Sequence, residues 1–398
     1  MHAVLVVHIG ETVGHLVRAL AVADELAERN VQVEIICDDQ AKWLLSSWRN
    51  RFRHYPISWP FSHNGMTTGV PTKELRDVVA SVNRELVHLL DQLQPDVVLG
   101  FPGVFSVQCA RYVGARHSSI LHGPYLSPLL PLAVFSDLER RVIEFGSQFF
   151  GNCVNAIYEH LHKVFGFKPL TYKEYLQTEN IYIPQPSLPL PSWGNLNVGH
   201  FIRASFGPPA QLEEASLTNA CYVTFGSGNP CSIDQVVRAA EAVFSKVIVS
   251  AGKQKLASKK PTTICYPFVA SSSLAGKVRA VISHGGIGTV GTFAEYGTPQ
   301  LIIPTEVDQA TMAVHAGRSG IASTVGLSSW AINPKLGRTM PDLKDSELFA
   351  AISALQIQEP YACEEADGAS IIAQAILATE RNSSVVDLHI SPLGAEGA

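Results

Sequence analysis

The sequence predicts an α/β protein built from two doubly wound, Rossmann-like domains, and three observations lead there. The chain has 398 residues, more than one ordinary core holds and comfortable for two domains. Short apolar runs alternate with amphipathic stretches of three-to-four spacing in both halves, the pattern of βαβ units around a covered parallel sheet. Between the halves lies a stretch with Pro184, Pro186, Pro189, Pro191, Pro208 and Pro209 and few periodic apolar residues, which reads as extended linker. The expected layout is a first domain over 1–203, a linker over 204–217 and a second domain over 218–398. A last helix near 364–380 is free to pack back on the first domain.

The elements follow in order. Residues 3–9 form an apolar run that breaks at Gly10, and from Leu16 apolar residues recur at 16, 19, 20, 23, 26 and 27 as a helical stripe. Asn30 stands where Gly or Asn is favoured just past a helix end, and Val31, Val33, Ile35 and Ile36 give the next strand. A helix over 74–93 precedes strands at 96–99 and 118–121. After the linker, strands are expected at 221–225, 246–250, 263–266, 279–283 and 300–303. Ser232 opens a helix with Gln235 as capping-box partner, and two later helices end at Gly297 and Gly320. The last eight residues read as a loose tail.

Composition excludes several classes. Apolar residues make up 46% and charged residues 16%, and no stretch approaches the ~20 apolar residues of a membrane span. The net charge of −5 is spread along the chain, without the basic footprint of a nucleic-acid or anionic-lipid binder. Seven cysteines with no C-x-x-C pair indicate neither a disulfide framework nor a zinc site. The N-terminal ten residues lack a signal-peptide pattern. The expectation is a cytoplasmic monomer or homodimer with no bound metal.

The segment richest in chemistry runs Ala280-Val-Ile-Ser-His284-Gly-Gly-Ile-Gly-Thr289, a buried strand leading through glycines into a helix. Ligands of open α/β sheets bind beyond the carboxyl ends of strands, where a helix N-terminus offers unpaired N–H groups and about half a positive charge. Gly285, Gly286 and Gly288 let a phosphate approach the backbone, Thr289 adds a hydroxyl and His284 a donor. The same glycines also suit a plain tight turn. Downstream, Gly297-Thr-Pro299 ends the helix, Leu301-Ile-Ile-Pro304 is the next strand, and Asp308-Gln309 stand at its end, placed to meet sugar hydroxyls.

At this point the chain resembles the GT-B glycosyltransferases of family 1, which use UDP- or dTDP-sugars on small molecules and carry H-G-G-x-G-T, G-x-P and P-x-x-x-D-Q in this order and spacing. It is more distantly similar to the peptidoglycan GlcNAc transferases. The resemblance implies a donor site in the second domain. There His284, Gly285, Gly286, Gly288 and Thr289 bind the diphosphate, while Asp308 and Gln309 hold the sugar. Val269 of Phe268-Val-Ala270 would offer its backbone to the nucleobase, and Gly226-Ser227-Gly228 would face the phosphates from the other side; a simple turn also fits that loop. In the first domain Gly14-His15 resembles the family's G-H motif, whose histidine is the general base of an inverting transfer. A helix N-terminus favours the neutral, proton-accepting imidazole. Glu11, Phe101 and His122 are the candidate acceptor-side neighbours, and His8, His54, His63 and His117 are rival histidines.

The chain departs from the family pattern at four places. Phe101 stands where many members have the aspartate that orients the basic histidine. Thr292 replaces a glutamate that reaches the ribose, Met312 replaces the asparagine of D-Q-x-x-N-A, and Ala270-Ser271 replace the pair beside the base. The apolar region 126–167 either shapes an acceptor pocket or packs as core.

The reading is an inverting, metal-independent NDP-sugar hexosyltransferase acting on a hydroxyl or amine of a small-molecule, natural-product or lipid acceptor, with the sugar nucleotide as co-substrate and no cofactor. The alternatives are an NDP-sugar epimerase of the same fold and a non-catalytic partner protein. No G-x-G-x-x-G follows the first strand and no G-K-[ST] follows a glycine-rich loop, which argues against a Rossmann oxidoreductase and a P-loop enzyme.

Overall fold

The computed structural model describes residues 1–8, 14–39, 51–58, 66–67, 70–121, 123–126, 130, 132–183, 196–197, 217–226, 231–252, 256–257, 260–332, 340–360 and 367–381. Glu11, His63, His122, Ser227, Gly228, all but the last residue of the expected linker, and the tail lie outside the described residues.

The first domain contains β1 (His2–Val7), α1 (Gly14–Glu28), β2 (Gln32–Cys37), β3 (Arg53–Pro56), the short antiparallel pair β4 (Met66–Thr67) and β5 (Val70–Pro71), α2 (Lys73–Leu93), β6 (Val97–Phe101), α3 (Val107–Tyr112), β7 (Arg116–Ile120), α4 (Gly123–Leu126), α5 (Asp137–Phe165), α6 (Tyr172–Thr178), β8 (Asn180–Ile183) and β9 (Leu196–Asn197). Its sheet runs β3-β2-β1-β6-β7-β8-β9, parallel throughout. Both faces are covered, which explains why β1 reads as a continuous apolar run. Ala3, Leu5 and Val7 pack into one buried cluster with α1, and Val4 and Val6 into another with α2 and α5. Asn30 adopts φ 62° beyond the end of α1, the left-handed cap its position suggested.

The second domain contains β10 (Ala220–Thr224), α7 (Asp234–Val243), β11 (Lys246–Ser250), β12 (Thr263–Tyr266), β13 (Ala280–Ser283), α8 (Ile287–Glu295), β14 (Gln300–Ile302), α9 (Val307–Arg318), β15 (Ser323–Thr324), α10 (Leu327–Ile332) and α11 (Asp345–Ile357). Its parallel sheet is ordered β12-β11-β10-β13-β14-β15. A final helix, α12 (Gly368–Arg381), returns to the first domain. There Ala369, Ile372, Ala373 and Ile376 are buried with Leu16 and Leu20 of α1.

Two expectations change and one open alternative closes. The expected strands 96–99 and 118–121 are Val97–Phe101 and Arg116–Ile120. In β7 the polar His117 and Ser119 are absorbed because His117 contacts Ser106 Oγ at 3.0 Å and Glu179 Oε2 at 2.8 Å, and Ser119 accepts from Tyr175. Gln235 forms no capping box. It donates instead to the Leu343 carbonyl and to Asp345 at the start of α11, tying α7 to α11. Finally, much of region 126–167 is core: Val142, Ile143, Phe149, Phe150, Val154 and Ile157 are buried along α5.

That core continues across the domains. Val307, Ala310 and Val314 of α9 and Trp330 of α10 share the buried cluster of Phe135, Phe149 and Phe150. Beside it Arg318 pairs with Glu139 at 3.2 Å and lies 5.2 Å from the Phe135 ring. The helix α9 is thereby fixed against α4 and α5.

Candidate active site

The carboxyl end of β13 turns sharply into α8. Gly285 has φ 89°, and a Cβ there would stand 2.7 Å from Ile302 Cγ2, so backbone conformation and space both demand glycine. Gly286 is the N-cap of α8 and supplies no side-chain hydrogen bond to it, which leaves the first-turn N–H groups to an anion. Gly288 is exposed with nothing within 4 Å of a Cβ, and Thr289 is half-buried on the same turn. His284 is wedged between glycines: a Cβ at Gly226 would lie 3.3 Å from its Cε1, and one at Gly286 2.7 Å from its Nε2. The His284 Nδ1 is 3.5 Å from the Thr224 carbonyl, which can only accept. This orients Nε2 away from β10.

One strand along, β14 leads into α9. Gln309 is 6% exposed, and its Oε1 accepts both the Thr305 N–H and the Thr305 hydroxyl, each at 2.9 Å. Its amide NH2 is therefore the end a sugar hydroxyl can meet. Asp308 is half-buried in the first turn of α9. The departures at 292 and 312 have local explanations. Thr292 donates to the Gly288 carbonyl at 2.6 Å, and Met312 is buried among Ile287, Val290 and Ile302. Val269 is 4% exposed and its carbonyl accepts from the Tyr222 hydroxyl at 3.1 Å, so one of its two backbone groups is already engaged.

Across from α8 stands the N-terminus of α1, which touches it. His15 is half-buried there, and Arg18, one turn on, donates to His15 Nδ1 at 2.9 Å. Arg18 is 7% exposed, and its Nε and second terminal nitrogen are buried without a hydrogen-bond partner. Burial pulls its pKa down to about 10, partly offset by Tyr125. The Tyr125 hydroxyl is in turn pushed up, first by burial and then by Asp308, with Glu306 adding to it and Arg18 opposing. Tyr125 thus feels Arg18 from the first domain and Asp308 from the second.

Phe101 is not an acceptor-side residue. It is fully buried in the first-domain core with Leu16 and Leu99, because a strand buried on both faces points its aromatic end residue inward. Among the rival histidines, His54 bonds the Cys37 carbonyl and His117 sits in the Ser106–Glu179 network. Sequence reasoning missed Arg18 and Tyr125. The available signal was a lone arginine inside the apolar stripe of α1, three residues after His15. Among the described residues no group of three or more His, Cys, Asp or Glu is placed to hold a metal ion, and no helix is long and apolar enough to cross a membrane.

No protein-family model matches the chain. A 104-residue segment is 35% identical to the vancomycin aglycone glucosyltransferase of Amycolatopsis orientalis, covering 25% of this chain and 26% of that protein. The aligned part thus spans about a quarter of that relative's length. The calicheamicin glycosyltransferase CalG4 superposes with a TM-score of 0.63 at 18% identity, over 96% of this chain and 99% of that one. The Arabidopsis thaliana protein UGT89C1, complexed with UDP, superposes with a TM-score of 0.57 at 15% identity, over 96% of both chains. With two parallel sheets, a last helix that returns to the first domain and likenesses that span nearly the whole chain, the protein has the GT-B fold of the glycosyltransferases.

Proposed function

We propose that this protein transfers a sugar from a UDP- or dTDP-linked donor to a small-molecule acceptor of natural-product type, with inversion at the anomeric carbon. The observation that carries the reading is the pairing of an uncapped, glycine-fronted helix with a positioned Asp308-Gln309 at the end of the next strand of the same sheet. The diphosphate lies on the N–H groups of α8 beside His284, and its departing charge is stabilised by that helix end and Thr289. Asp308 and the Gln309 amide hold sugar hydroxyls. Val269 meets the base through its N–H. His15 meets the acceptor's attacking atom from the opposite domain. No bound metal is needed in this scheme, because the helix end supplies the positive charge at the leaving group. The acceptor class rests on the names of the relatives, a vancomycin aglycone glucosyltransferase and the calicheamicin glycosyltransferase.

The test is a thermal-shift panel of UDP, dTDP and GDP with their glucose conjugates. A ligand at a hundred times its Kd adds ~2.7 kcal/mol. A rise with UDP or dTDP, lost in His284→Ala, supports the donor site, and no rise with any nucleotide sinks it. Nucleotide diphosphate released only when an acceptor is present distinguishes transfer from epimerisation.

A further inference from the structure

We propose that His15 and Arg18 form a donor pair that receives the acceptor's attacking oxygen as an anion, a carboxylate or an ionised phenol, so that transfer proceeds without removal of a proton by His15. This deepens the glycosyltransferase reading and rests on it for the transfer step.

The inference starts from hydrogen-bond chemistry. A guanidinium has five N–H donors and no lone pair it can offer, so the ring nitrogen it contacts must be bare. With Arg18 donating to Nδ1 at 2.9 Å, the neutral imidazole of His15 carries its proton on Nε2 and is a donor there. Taking up a further proton, as a general base must, would place a second positive charge directly beside a buried arginine. The family's base is supported by a carboxylate at this point. Here the corresponding position is Phe101, turned into the core, and a cation touches the ring.

Arg18 supplies the second observation. It is 93% buried by its 7% exposure, yet two of its nitrogens have no hydrogen-bond partner. Buried donors left unmade are costly, and charge-assisted bonds to an oxygen anion are the strongest way to satisfy them. The lowered pKa of Arg18, to about 10, reports the same uncompensated burial. Tyr125 lies within electrostatic reach of Arg18 and also, from the second domain, of Asp308 and Glu306. In the transfer step the anionic oxygen attacks the anomeric carbon. The bond from that carbon to the phosphate oxygen breaks and its electron pair leaves with the nucleoside diphosphate. A glycosyl ester or aryl glycoside forms, and no proton changes hands.

The test uses the full chain with benzoate and 4-nitrophenolate as anionic probes, benzyl alcohol as the neutral one, and variants Arg18→Met and Arg18→Lys. Nitrogen-15 NMR of labelled histidine reads the His15 tautomer without any ligand. The expected results are a bare Nδ1 and protonated Nε2 in the parent, with that preference lost in Arg18→Met. Both anions should bind at least tenfold more tightly than benzyl alcohol, a margin retained in part by Arg18→Lys and absent in Arg18→Met. A protonated Nδ1 in the parent, equal or absent binding of the anions, or an anion preference that survives Arg18→Met overturns the proposal. These readouts need no nucleotide. Failure of UDP and dTDP to bind would therefore sink the glycosyltransferase reading alone, and failure of the anion preference would sink this proposal alone.

Discussion

Gly286 and His284 are coupled through space: a Cβ at residue 286 would lie 2.7 Å from His284 Nε2, while a Cβ at residue 288, two residues on, would meet nothing within 4 Å. The backbone at Gly286, φ −61° and ψ 129°, is open to any residue. The glycine is therefore required by its neighbour and not by its own conformation. Gly286→Ala should push the imidazole off its position and weaken UDP or dTDP binding about tenfold, roughly 1.4 kcal/mol. Gly288→Ala should behave differently. It should raise the melting temperature, because alanine in a helix is favoured over glycine by about 1 kcal/mol, while still weakening nucleotide binding by standing where phosphate oxygens approach. Calorimetric Kd values with thermal melts check both. Unchanged nucleotide affinity in Gly288→Ala would remove the diphosphate from the N-terminus of α8.

Gln309 serves both structure and ligand. Its Oε1 accepts two bonds from Thr305 inside a site where Thr305 is 0% exposed. Gln309→Leu strands a buried N–H and a buried hydroxyl and should cost about 1–3 kcal/mol in urea unfolding. Gln309→Glu keeps an acceptor for Thr305 but removes the amide donors, so its unfolding midpoint should stay near the parent's while KM for the sugar donor rises. If both variants lose stability equally and KM is unaltered in Gln309→Glu, the residue is structural only.

The fold and half of the candidate site were legible in the sequence for different reasons. Strands buried on both faces, such as β1 and β13, read as uninterrupted apolar runs, and the glycines after β13 mark a turn that side chains would block. The proposed donor site is local: His284 through Gln309 lie within one β-α-β-α unit, so spacing alone assembles it. The proposed acceptor side draws on α1, α4 and α9, elements far apart in the chain, and Tyr125 carries no motif. Arg18 was hidden inside the stripe that identifies α1 as a helix. There a single charge reads as a surface residue at the edge of the stripe until packing shows it enclosed. Phe101 went astray the opposite way, since position in a motif said cleft and burial says core.

The hydroxyl of Tyr222 fixes the turn expected to face the nucleobase. It donates to the Val269 carbonyl at 3.1 Å from the interior of the second domain. Tyr222→Phe removes that bond, leaves the Val269 carbonyl buried and should cost about 1–2 kcal/mol. Nucleotide binding should weaken while discrimination between UDP and GDP falls, because the turn loses its fixed height above the sheet. Competition titrations against both nucleotides read this directly. Affinity for both reduced by the same factor would mean that the turn contributes no selectivity.

Acid should loosen the seam between α5 and α9. His315 is 3% exposed and edge-on to Phe135 at 6.1 Å, and burial, then Arg318, pull its pKa down to about 4 from 6.5, with Glu139 opposing. In an unfolded or parted chain the imidazole takes up its proton near pH 6.5, whereas in the packed interface it stays neutral until about pH 4. The unfolded state thus binds more protons across that window, so stability rises with pH there and is lost as pH falls from about 6.5 toward 4. The full loss is at most about 3.5 kcal/mol. His315→Gln keeps a neutral polar side chain of similar size and has no proton to gain. Its urea midpoint should fall less steeply than the parent's between pH 7 and pH 4.5, and the two should diverge little above pH 7. Parallel curves across that range would show that His315 is protonated as readily in the seam as in water, and that the seam between α5 and α9 is open to solvent.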